Sequence, residues 1–78
     1  MPTGNILKAA RALAGLTGAQ LAALAEIDVS TISRLESAGH NSVGGHARTV
    51  ELVIRALRAR GVEITDDGVR LMKTRTRG

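Results

Sequence analysis

Between Gly18 and Glu36 the chain reads GAQLAALAEIDVSTISRLE, and this stretch narrows the folds open to it more than any other. Leu21, Leu24 and Ala25 supply an apolar face in a run of good helix formers, and Thr17 stands ahead of them as a hydroxyl cap. Glu26 and Ile27 interrupt the run. Asp28 then offers a carboxylate to the amides of Ser30 or Thr31 and to the positive end of a second helix. Ile32 and Leu35 lie one turn apart on its inward face, and Ala22 is small where two helices have to cross. The segment predicts two short helices, 18–25 and 29–36, joined by a tight turn.

The flanks supply the rest of a core. Ile6, Leu7, Ala10, Leu13 and Ala14 recur at spacings of three and four, which predicts a first helix over 5–14, ended by Gly15 in a left-handed conformation. Ser37 to Gly45 has three glycines among Ser, His and Asn with no periodicity, and is expected to be an exposed loop. Val50, Val53, Ile54 and Leu57 then mark an amphipathic fourth helix ending at Gly61. Beyond it the period drops to two. Val62 and Ile64, a turn at Asp66-Asp67-Gly68, then Val69 and Leu71 predict a β-hairpin. The expected organisation is 1–61 as the helical domain, 62–73 as the hairpin and 74–78 as a basic, disordered tail.

Composition excludes several functions. In 78 residues a single core is only marginally sufficient, so help from a second subunit is expected. With no cysteine there are no disulfides or thiolate sites, and His40 and His46 lack a metal-binding pattern, so neither metal nor cofactor is expected. No triad or acid–base cluster points to an enzyme, and no residue is assigned a catalytic role. Eleven Lys and Arg against seven Asp and Glu give a net charge of +4, which favours a polyanionic partner. The absence of Phe, Tyr and Trp disfavours single-stranded nucleic acids, whose bases are commonly held by stacking on aromatic rings. With no apolar run near the length of about 20 residues that spans a bilayer, and no secretory leader, the expected location is the cytoplasm, at the nucleoid, with no membrane partner.

If Ile32 and Leu35 face inward, Val29, Ser30, Ser33 and Arg34 face out. On a helix entering the major groove these four are the candidate base readers. An arginine donates two hydrogen bonds to guanine O6 and N7, a valine packs on the thymine methyl, and a serine bonds a base or a phosphate.

The strings LKAARALAGLT, QLAALAEIDVSTISRLE and TVELVIRAL, over residues 6 to about 57, resemble the Cro and phage-repressor type of helix-turn-helix domain, the xenobiotic-response-element family. The resemblance implies a mainly α fold of four helices, here followed by a β-hairpin as in short bacterial regulators of that family. It implies that phosphates are held at the start of the second helix, by Thr17 and Gly18, and around the loop after the third, by His40, Asn41, Ser42, His46 and Arg48. It also implies an ion pair between Arg11 and Glu36 that sets the tilt of the reading helix. Two positions depart from the pattern. Gly18 replaces the usual phosphate-gripping Gln, and Glu26 replaces the usual turn Gly.

Two strands alone are marginal in water, so the hairpin has to pack on the fourth helix or pair with a second chain. Leu52, Val62, Ile64, Val69 and Leu71 are the expected homodimer interface. The leading reading is a dimeric, sequence-specific regulator of double-stranded DNA, a repressor. Its alternatives are an antitoxin that represses its own operon, or an interaction module that does not bind DNA. A toxin and RNA polymerase are the further candidate partners.

Overall fold

The computed structural model describes residues 2–43, 46–65 and 68–72. Four helices, α1 (Gly4–Leu13), α2 (Gly18–Ala25), α3 (Val29–Glu36) and α4 (Ala47–Ala59), precede two strands, β1 (Val62–Thr65) and β2 (Gly68–Leu71). The mainly helical fold with a terminal hairpin is the one expected. The turn at Asp66-Asp67, the loop glycines Gly44 and Gly45 and the tail from Lys73 to Gly78 lie outside the described residues.

Helix ends follow local chemistry. The Thr3 hydroxyl caps α1 by accepting from the Ile6 amide at 3.2 Å. Thr17 and Gln20 form a reciprocal capping box on α2: the Thr17 hydroxyl accepts from the Gln20 amide at 3.1 Å, and the Gln20 side chain accepts from the Thr17 amide at 2.9 Å. Helices α1 and α2 both end in a left-handed residue, Gly15 at φ +73° and Glu26 at φ +61°. In each case the next amide reaches back five residues, Leu16 to the Arg11 carbonyl at 3.1 Å and Ile27 to the Ala22 carbonyl at 3.0 Å. Asp28 departs from expectation. It occupies the cap position of α3, but its carboxylate accepts no amide. Of the two amides expected to reach it, that of Thr31 is bonded instead to the Asp28 carbonyl at 3.0 Å.

The core is aliphatic: Leu7 and Ala10 of α1, Leu21, Ala22 and Ala25 of α2, Ile32 and Leu35 of α3, and Val50, Val53, Ala56 and Leu57 of α4. No polar or charged side chain is buried among the described residues. Leu13 and Leu24, expected inside from their spacing, are instead 41% and 43% exposed. Each sits at the edge of its apolar stripe in a helix of three turns or fewer, too short to bury a wide face.

The segment after α3 is, among its described residues, the mostly exposed loop expected, with one exception at Val43. Val43 is buried, and the backbone around it is bonded to the start of the chain. The Gly4 amide donates to the Asn41 carbonyl at 3.3 Å, the Asn5 amide to Gly39 at 2.9 Å and the Val43 amide to Pro2 at 3.0 Å. This join is possible because residue 4 has no side chain. A Cβ there would lie 2.5 Å from the Leu35 carbonyl oxygen and 2.7 Å from both the Glu36 carbonyl oxygen and the Gly39 nitrogen.

In the antiparallel hairpin Val62 pairs with Leu71, Glu63 with Arg70, Ile64 with Val69 and Thr65 with Gly68. Glu63 and Arg70 form an ion pair at 2.8 Å on the face away from the helices. Val62 is fully buried within its own chain, so it belongs to the core and is removed from the expected dimer interface. Ile64 and Val69 are half-buried against the same core, whereas Leu71 is 62% exposed.

Two substitutions test this reading of the backbone by thermal melting. Gly4→Ala forces its methyl group into backbone atoms and is expected to cost about 2 kcal/mol. Glu26→Gly relieves a left-handed conformation that an L side chain disfavours, and is expected to stabilise by about 0.5–1 kcal/mol after the added chain entropy is subtracted.

Candidate nucleic-acid interface

Helix α3 has two unlike sides. Ile32 and Leu35 anchor it in the core, while Val29, Ser30, Ser33 and Arg34 lie in solvent, Val29 at 49% exposure. About half of Val29 is exposed at the first position of the helix. It is available for apolar contact outside the chain. All four residues expected to read bases are thus on one accessible surface.

Arg11 and Glu36 meet across α1 and α3. Arg11 Nε donates to Glu36 Oε2 at 2.7 Å and Nη2 to Oε1 at 3.0 Å, a two-point contact between planar groups. A third donor, Nη1, reaches the Leu16 carbonyl in the α1–α2 turn at 3.1 Å. One guanidinium therefore ties α1, the approach to α2 and the C-terminal end of α3 together. The side chains are 20% and 12% exposed, which makes this a partly buried pair. The hydrogen bonds to Glu36 raise the Arg11 pKa above its ordinary value, burial opposes them, and the Glu36 charge adds to the rise. The folded protein thus holds this proton more tightly than the unfolded chain. The resulting stability is fully present below the ordinary arginine range and is lost only in strongly alkaline solution.

The expected phosphate contacts fall into separate groups. Thr17 and Gly18 begin α2, and a Cβ at Gly18 would lie 3.8 Å from a Val29 methyl and 3.9 Å from an Ile32 methyl. The start of α2 therefore stands beside the start of α3. The Gly18 amide belongs to the first turn, where helix amides have no intrahelical acceptor. His40, Asn41 and Ser42 are exposed but are arranged around the start of α1: Asn5 Nδ2 lies 3.4 Å from His40 Nδ1, and Ser42 bridges to Thr3. His46 and Arg48 are exposed at the start of α4.

Reasoning from sequence missed Gly4, the burial of Val43 and a depression between α1 and α3 lined by Lys8, Arg11, Ser33, Glu36 and Ser37. A glycine in the first turn of a helix, directly after a Thr cap, is the signal that could have revealed the close approach at Gly4. Among the described residues there is no group of three His, Asp or Glu able to hold a metal, and no helix is long and apolar enough to cross a membrane.

A family model described as a helix-turn-helix domain matches residues 4–66, more than half of the chain. The chain belongs to the helix-turn-helix domain family. The match begins at the glycine against which α3 is packed, spans both helices of the motif and extends through β1, consistent with a Cro-type regulator. Membership makes this helix-turn-helix protein a DNA-binding regulator. None of the curated proteins compared with the chain matches it.

Glu36→Gln keeps the shape of the side chain and removes its charge. With Arg11 left short of a carboxylate, stability is expected to fall by about 1–2 kcal/mol. In a domain of this size that lowers the melting temperature by roughly 4–8 °C per kcal/mol, readable by circular dichroism. An unchanged melting temperature would show that the pair does not hold α3.

Proposed function

We propose that this helix-turn-helix protein is a sequence-specific repressor that binds duplex DNA as a homodimer, with Val29, Ser30, Ser33 and Arg34 reading base edges in the major groove. The observation that carries this reading is the division of α3: two residues fixed in the core, four in solvent, and the end of the helix held by Arg11. Rigid placement matters because a bidentate arginine–guanine contact tolerates little error in position. Thr17, Gly18, His40, Asn41, Ser42, His46 and Arg48 are proposed to contact phosphates, which set register rather than specificity. Repression by occlusion requires binding alone, and the proposed setting is the cytoplasmic nucleoid.

Dimerisation is supported by exposed apolar side chains on α4 and the hairpin. Leu52 on α4 is 37% exposed and Leu71 on β2 is 62% exposed, with Ile64 and Val69 half-buried beside them. A two-stranded sheet also leaves an outer edge on each strand, suited to pairing with a second copy. Two subunits related by a two-fold axis place their α3 helices in successive major grooves about 34 Å apart.

Selection from a random duplex library, read by sequencing for wild type and Arg34→Ala, tests the proposal. The wild type is expected to enrich a palindrome. Arg34→Ala is expected to lose about 1–3 kcal/mol of preference at one symmetric base pair in each half-site and to keep the others. Failure of the wild type to enrich any motif would overturn sequence-specific reading. A motif without symmetry would overturn the dimer.

A further inference from the structure

We infer that the depression between α1 and α3 seats one phosphate of the DNA backbone, with Lys8 as its cation and the Ser33 hydroxyl, assigned here to the phosphate in place of a base edge, as its partner. The inference rests on the duplex-DNA reading above and adds a contact on the α1 side of the reading helix.

Lys8 and Arg11 are three residues apart on α1, and Ser33, Glu36 and Ser37 lie at matching spacings on α3, so each set shares a helix face. The two faces meet and leave the depression that all five residues line. Most of its polar groups are already engaged. Arg11 donates to both Glu36 oxygens and to the Leu16 carbonyl, which balances the carboxylate. The Ser37 hydroxyl donates to the Ser33 carbonyl. The Lys8 ammonium and the Ser33 hydroxyl have no hydrogen-bond or ion-pair partner among the described residues. What remains is one unbalanced positive charge beside one free hydroxyl, the chemistry of a site for a singly charged phosphodiester.

The position of the depression names the source of that phosphate. Ser30, Ser33, Arg34 and Ser37 recur at i, i+3, i+4 and i+7 and are all exposed, so they form the outer stripe of α3 and continue just past its end. Ser33 and Ser37 also line the depression, which therefore adjoins the reading stripe directly. The stripe is about 10.5 Å long from Ser30 to Ser37, close to the roughly 12 Å width of the major groove. A duplex that accepts this stripe in its groove brings a backbone over the flank of α3, and on the α1 side Lys8 is the cation of the depression without a partner among the described residues. The depression opens to solvent rather than enclosing a ligand, as docking of a continuous backbone requires.

The test is the salt dependence of duplex binding, followed by fluorescence anisotropy for wild type, Lys8→Gln and, as a charge-matched control, Arg58→Gln on the last turn of α4 outside the depression. Lys8 is exposed, so its replacement leaves the fold intact, which the melting temperature verifies. For Lys8→Gln the plot of log affinity against log salt is expected to flatten by about 1 relative to wild type. Affinity for every duplex falls by a similar factor, and base preference stays the same. Arg58→Gln changes the slope by much less. A Lys8→Gln slope equal to that of wild type, or a change no greater than that of Arg58→Gln, would overturn the phosphate seat while leaving the DNA-binding reading intact. Absence of salt-dependent binding by the wild type would overturn both.

Discussion

The placement of α3 depends on the contact between α1 and the end of α3. Two features create it, both joining residues distant in sequence. Gly4 lets the α1 backbone approach the carbonyls of Leu35 and Glu36 to a distance no side chain allows, and Arg11, two turns later, fastens the Glu36 carboxylate. A helix of eight residues has too little surface to fix its own orientation through Ile32 and Leu35 alone. The close approach and the ion pair both act at the C-terminal end of α3, at Leu35 and Glu36. The third Arg11 bond, to the Leu16 carbonyl, carries the same constraint into the turn before α2.

This arrangement separates the two tasks of a DNA-binding surface. Apolar side chains and the Arg11–Glu36 pair hold position, leaving the outer face of α3 free of structural duty. Nothing buried among the described residues is charged, so the surface potential is set by exposed groups. With eleven basic against seven acidic residues in the chain, the field favours a polyanion. Gly18 and Glu26 show how far the motif can drift. At Gly18 the first amide of α2 remains available although the side chain is missing, and Glu26 keeps the left-handed turn despite its side chain. Backbone geometry survives at both positions.

Much of this was legible in the sequence because periodicity and caps report directly on helices. The spacing of Leu7 and Ala10, of Ile32 and Leu35, and of Val50, Val53 and Leu57 identified residues that are buried, and Thr17 and Gly15 marked true helix ends. The failures share a different cause. Leu13 and Leu24 fit their helical stripes but not the limited area those short helices cover. Val43 sits in a segment with no periodicity, and its burial depends on backbone bonds to Pro2, Gly4 and Asn5, which are distant in sequence. Asp28 stands at the expected cap position, but its carboxylate accepts from neither Ser30 nor Thr31, whose amide goes to the Asp28 carbonyl. The ion pair between Arg11 and Glu36 was reached only through family resemblance, since two charges twenty-five residues apart carry no local signal of contact. The depression holding Lys8 follows from the same packing and was equally hidden.

The most direct test of the account is to titrate isotopically labelled protein with a duplex carrying its selected motif and to follow the amide resonances by NMR. Resonances of α3 from Val29 to Glu36, together with those of Thr17 and Gly18, are expected to shift most strongly, because these groups form the presented face. Strong shifts confined to α4 and the hairpin, with α3 unaffected, would contradict the claim that α3 is the surface that meets DNA.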